Sequence, residues 1–287
     1  MVQQLLGKGA DINAQGGEYG NALQAASYNG HEKVVQQLLE KGADINAQGG
    51  RYGNALQAAS YNGHEKVVQQ LLGKGADINA QGGRYGNALQ AASAEGDEEV
   101  VQLLLNKGAD INAQGGYYGN ALQAASYRGN KGVVQLLLNN RADINAQGGE
   151  YGNALQAASF GGNEGVVQLL LNKGADINAQ GGEYGNALQA AVLDRGNEGL
   201  VQLLLDNGAD INAQGGYFGN ALKAASSQGY KEVVQLLLDN GADINAQGGE
   251  YGNALKAASV WGHDAVVQLL LANGAVPEKE DNLENED

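Results

Sequence analysis

The sequence predicts an all-α solenoid of stacked helix–turn–helix units joined by hairpin-like loops. Three observations lead there. The stretch GADINAQGGEYGNALQAAS, from Gly9 to Ser27, returns barely altered along the 287-residue chain. The aspartates of its ADIN element, Asp11, Asp44, Asp77, Asp110, Asp143, Asp176, Asp210 and Asp243, are 33 residues apart, save one step of 34 between Asp176 and Asp210. Each unit also carries two short apolar stripes at helical spacing, separated by glycine-bearing turns. The expected organisation is a truncated half repeat over 1–10, eight repeats over 11–275 beginning at those aspartates, and a disordered acidic tail over 276–287.

The unit from Asp44 shows why each element forms. DINAQGGRYG (Asp44 to Gly53) is polar and glycine-rich, which is turn or hairpin chemistry. Asn54 is placed to cap a helix by accepting a backbone N–H that has no partner within the helix. ALQAASY (Ala55 to Tyr61) then sets Ala55, Leu56 and Ala59 on one side, and its alanines admit a close helical neighbour. Gly63 suits a left-handed cap, and His64 is placed to cap the next helix. EKVVQQLL (Glu65 to Leu72) repeats the stripe with Val67, Val68, Leu71 and Leu72, and Gly75 ends it. Helices of two or three turns are marginal alone, so each unit must bury its stripes on its neighbours.

Composition narrows the function. With no cysteine there is no disulfide framework and no thiolate chemistry. No apolar run reaches the length of a membrane span, and MVQQLLGKGAD lacks the form of a secretory signal. The expected setting is the cytoplasm, or the nucleus, with no membrane partner. The net charge is −15, of which the segment from Pro277 to Asp287 carries −5. A nucleic-acid binder needs a basic face, and no Lys/Arg-rich stretch exists, so nucleic acid is not an expected partner.

The 33-residue period, the G-A-D-x-N-A junction, the G-H before the second helix (Gly30-His31, Gly63-His64, Gly262-His263) and the V-V-x-x-L-L helix together resemble the ankyrin repeat. The resemblance runs to about Ala275. It departs where ankyrin units read T-P-L-H: these read N-A-L-Q (Asn54 to Gln57), with Lys223 and Lys256 replacing the glutamine in two units. Asn substitutes for Thr as cap, and Gln for His as donor and acceptor. The GG-x-YGNALQAA variant looks like arrays of filamentous fungi, often attached to nucleotide-binding receptor-like proteins. The resemblance implies a non-catalytic scaffold without cofactor, which grips another protein on a concave face of hairpin tips and first helices.

Comparison among the units separates scaffold from candidate surface. DINAQ scarcely changes and is read as turn hydrogen bonding and packing. The ring of YGN (Tyr19, Tyr52, Tyr85, Tyr118, Tyr151, Tyr184, Phe218, Tyr251) is nearly fixed, and an element identical in every unit cannot discriminate a partner along the array. It is read as packing. Variation sits at the tip after GG, at the end of the first helix and at the start of the second. The candidate partner-binding residues are Arg51, Arg84, Tyr28, Tyr61, Tyr117, Tyr127, Arg128, Phe160 and Trp261, of the types that dominate interface hot spots. The expected partner is a protein presenting an acidic or aromatic segment, and the chain is expected to be monomeric. The alternative is a structural spacer, or a designed consensus scaffold, without a specific partner.

Other constellations fail. His31, His64 and His263 occupy one position in three units, so no two are near enough to share a metal ion. GGEYGNAL (Gly16 to Leu23) lacks both the nine-residue period and the aspartate of a calcium β-helix, and no phosphate loop follows the glycines. No nucleophile–base set can be assembled, so no catalytic residue is expected. Arg141 stands where other units have Gly, and Gly132, Gly165 and Gly199 weaken the first turns of their helices. The weakest joint is therefore expected between Gly132 and Gly199, closed by the one-residue insertion near Asp194. The chain opens within a second helix, Val2 to Leu6, for which a fragment, an alternative gene model and part of a longer receptor are the readings.

Overall fold

The computed structural model describes residues 7–277. The expected helix at Val2 to Leu6 and nearly all of the acidic tail lie outside them. The chain divides into two compact units, up to Asp176 and from Ile177 onward.

The first unit holds five helix pairs: α1 (Ala22–Tyr28) and α2 (Glu32–Glu40), α3 (Ala55–Tyr61) and α4 (Glu65–Gly73), α5 (Ala88–Glu95) and α6 (Glu98–Asn106), α7 (Ala121–Arg128) and α8 (Lys131–Asn139), α9 (Ala154–Phe160) and α10 (Glu164–Asn172). The second holds three: α11 (Ala187–Leu193) and α12 (Glu198–Asp206), α13 (Ala221–Gln228) and α14 (Lys231–Asp239), α15 (Ala254–Val260) and α16 (Asp264–Ala272). Within each unit, first helices pack on first helices and second helices on second helices. Among the described residues there is no β-strand; the tips close only by isolated antiparallel bridges such as Gly49 with Gly53.

The first helices are buried almost all round. From Ala55 to Ser60 every residue is inaccessible, whereas α4 buries only Val67, Val68 and Leu71. Alanine explains the difference: a side chain of one carbon lets a helix be sandwiched between two others.

The NALQ signature proves to be a junction. Asn54 Oδ1 accepts the Gln57 backbone N–H at 2.9 Å, and Gln57 Oε1 accepts the Asn54 N–H at 2.8 Å. This reciprocal pair is a capping box. The Gln57 amide then reaches the next repeat, donating to Ala80 O, Gly82 O and Gly86 O at 3.2, 3.2 and 2.8 Å. Lysine keeps only half of this at position 223. Its Nζ donates to Gly248 O at 2.8 Å, but lysine accepts nothing, and the capping box is absent. Burial pushes the Lys223 pKa down.

The DIN element forms a second ladder. Asp44 Oδ1 accepts the Asn46 N–H at 3.0 Å, and Asn46 Oδ1 accepts the N–H of Asp77, one repeat on, at 2.9 Å. In the second unit the ladder ends on the Val276 N–H, bonded to Asn245 Oδ1 at 2.9 Å.

His64 corrects the expectation of a cap. It holds the cap position of α4 but makes no side-chain bond to that helix. Its Nε2 instead meets Tyr28 O of the preceding repeat at 2.9 Å; a carbonyl only accepts, so Nε2 carries the proton. Gly30 makes this room, since a Cβ there would stand 2.7 Å from the ring. His263 and Asn163 reach back alike, to Ser227 O and Tyr127 O. These bonds satisfy carbonyls at the ends of first helices. Asp97, by contrast, does cap its own helix, at Val100 N.

Among the described residues two that are not glycine have positive φ: Arg141 at 69°, as its place predicts, and Arg195 at 49°. Arg195 is in the inserted turn, so the extra residue is absorbed by a left-handed step between Asp194 and Gly196.

Candidate partner-binding face

Two elements of each repeat build this face: the tip after GG and the end of the first helix. The tips are tied into a row by backbone bonds. Arg51 N donates to Glu18 O at 2.8 Å, Arg84 N to Arg51 O at 3.1 Å, and Tyr117 N to Arg84 O at 3.0 Å. Gly50 permits the close approach, because a Cβ there would run into the Tyr19 backbone. One side chain per repeat is thereby displayed at a constant interval.

Behind the tips runs a column of rings. Tyr19, Tyr52, Tyr85, Tyr118 and Tyr151 follow one another with centroids 6.3, 6.5, 6.3 and 6.4 Å apart. All but Tyr19 are buried, in keeping with the packing role read from their constancy. The rings at the first-helix ends interleave with this column. Tyr28 lies 4.8 Å from both Tyr19 and Tyr52. Tyr61 lies 5.0 and 4.9 Å from Tyr52 and Tyr85. Tyr127 lies 5.4 and 4.8 Å from Tyr118 and Tyr151, and Phe160 lies 5.4 Å from Tyr151. Tyr28, Tyr61, Tyr127 and Phe160 are thus half-buried rungs of a zipper.

The rung is missing in the third repeat, where Ala94 takes the place of Tyr61. Ala94 is 2% exposed. Beside it, Arg128 pairs with Glu95 at 3.2 Å.

The tip cations differ in their partners. Arg51 pairs with Glu18 at 3.3 Å and lies over the Tyr52 ring at 5.9 Å. Arg84 lies over the Tyr117 ring at 5.5 Å, and among the described residues no carboxylate pairs with it within the 4.0 Å of an ion pair. Tyr117 is 36% exposed, with its hydroxyl 3.2 Å from that of Tyr151. Eight of the nine candidate residues therefore share one face of the first unit. Trp261, 58% exposed and edge-on to Tyr251, belongs to the second.

Sequence reading missed the carboxylates Glu18 and Glu95 as parts of the site. The signal was present: each lies 33 residues before its arginine, so the period alone aligns them.

The field is organised around Tyr118. Burial pushes its hydroxyl pKa up, while Arg128 and Arg84 pull it back. Burial also opposes the Arg128 charge, but Tyr118, Glu95, Tyr85 and Tyr61 together outweigh it and leave that pKa raised. No three His, Asp or Glu side chains among the described residues are grouped to hold a metal ion. No helix among them is long and apolar enough to cross a membrane.

Stacked helix pairs with glycine-rich tips and an aromatic-lined, arginine-bearing face define a repeat scaffold. A family profile described as ankyrin repeats (3 copies) matches residues 1–82, 88–181, 122–215 and 188–281. The chain belongs to the ankyrin repeat family, whose members are generally protein–protein interaction modules and typically non-catalytic. A search of curated proteins returns no match.

Proposed function

We propose that this chain is a protein-interaction scaffold that binds its partner on the concave face made by hairpin tips and first helices. The observation that carries the reading is the layering of that face. Side chains that vary between repeats, Arg51, Arg84, Tyr117 and Arg128, stand exposed on a buried column of rings that does not vary. The column supplies rigidity, and the variable layer supplies discrimination. Tyr28, Tyr61, Tyr127 and Phe160 add aromatic edges, and Trp261 is a separate contact in the second unit. The partner is a protein segment rich in acidic or aromatic side chains.

A capture experiment tests this. The full chain is compared with Arg51→Glu/Arg84→Glu against lysate of the source cells. A protein retained by the first and lost by a second of unchanged helicity supports the reading. Identical retention by both removes the face from partner binding and leaves the spacer reading in its place.

A further inference from the structure

We propose that Arg84 and Arg128 form a two-armed carboxylate site at the broken rung of the aromatic column, for an acidic side chain of a protein partner. The inference rests on the scaffold reading and adds the chemistry of one contact. It starts from Ala94. In the second repeat the rung Tyr61 fills the interval between Tyr52 and Tyr85. In the third repeat a methyl group stands there instead, and the interval between Tyr85 and Tyr118 has no ring. Two guanidinium groups stand next to it: Arg84 lies over the Tyr117 ring, itself edge-on to Tyr118 at 5.1 Å, and Arg128 is held beside Ala94 by its pair with Glu95. Both charges also pull the Tyr118 hydroxyl pKa down, against its burial.

The arginines are unevenly satisfied. A guanidinium offers five N–H donors in a fixed fork that matches a carboxylate. Arg51 obtains its carboxylate from Glu18, one repeat earlier. Arg84 cannot do the same, because the residue one repeat earlier is Arg51. It keeps the Tyr117 ring as a cation–π support, and its fork is left to be satisfied from outside. Arg128 gives Nη2 to Glu95 Oε1 at 3.2 Å. Glu95 thus stands as an internal competitor whose charge opposes an incoming acid.

The choice of a protein carboxylate over nucleic-acid phosphate follows from charge. The face offers two or three arginines and no basic stripe, too few cations to hold a nucleic-acid backbone by its phosphates. A single acidic side chain in an extended segment needs only the local pair.

The test uses the full chain at low ionic strength, since such contacts are screened by salt. A fluorescent hexaglutamate peptide is the probe, with hexaglutamine as neutral control and single-stranded oligothymidylate as the phosphate arm. Binding of hexaglutamate but not hexaglutamine is expected. Arg84→Gln and Arg128→Gln should each weaken it about tenfold, the scale of one charge-assisted hydrogen bond. Glu95→Gln should strengthen it severalfold, a gain that no loss of folding can mimic. Arg141→Gln, which changes an arginine outside the face, should leave it unchanged. Absence of hexaglutamate binding, indifference to Arg84 and Arg128, or tighter binding of oligothymidylate through the same arginines would each overturn the proposal. If hexaglutamate fails while a protein is still captured through Arg51 and Arg84, the clamp falls and the scaffold reading stands. If both fail, both fall.

Discussion

Individual residues show where identical repeats have been allowed to differ. Arg141 holds φ at 69°, a conformation glycine takes in the other units. A side chain there costs up to about 1 kcal/mol, so Arg141→Gly should raise the urea midpoint with an unchanged slope. The serine that closes the first helix is a second case. Ser27, Ser60, Ser93, Ser126, Ser159 and Ser226 bury hydroxyl oxygens that have no hydrogen-bond partner, and Val192 fills that place in the sixth repeat. A buried hydroxyl without a partner is costly, and its removal leaves little cavity. Ser126→Ala should therefore be neutral or stabilising in thermal melts, against the usual trend for core substitutions. Neither effect can be read from one repeat alone; both emerge from comparing a position across all of them.

At the scale of the element, the aromatic column governs alkaline stability. Burial is the leading cause that raises the hydroxyl pKa values of Tyr52, Tyr85, Tyr118 and Tyr151 above the ordinary value of about 10. A group whose folded pKa is raised holds its proton longer in the folded state than in the unfolded one. Its contribution is complete below pH ~10 and is lost as pH rises above it. Absorbance titration should show part of the tyrosine population ionising late, together with loss of helical signal. Full ionisation near pH 10 with the helices intact would contradict the buried column. The column was half legible in the sequence. Constancy marked Tyr52 and Tyr85 as packing, but Tyr28 and Tyr61 vary to Ala94 and Phe160 and so read as surface. The structure makes them both, because a ring at a first-helix end is wide enough to wedge between two column rings and still show an edge.

Within each of its two units the molecule is a one-dimensional stack whose stability is a sum over neighbours. The division after Asp176 falls within the Gly132 to Gly199 stretch that glycine content and the inserted residue mark as weak. Amide exchange should be faster across that stretch than in the repeats on either side; uniform protection would contradict it. The helix pairs, the Asn cap and the family are legible in the sequence, because they depend on near-neighbour spacing and on turn and cap chemistry that glycine and asparagine favour. Stacking, by contrast, sets what Gln57 and His64 do across repeats. Both are polar residues at helix starts, and local rules assign them to their own helices. Their longer reach, to carbonyls one repeat forward or back, exists only once units are stacked. For Arg84 the period already places Arg51 one repeat before it, and stacking adds the Tyr117 ring beneath its guanidinium.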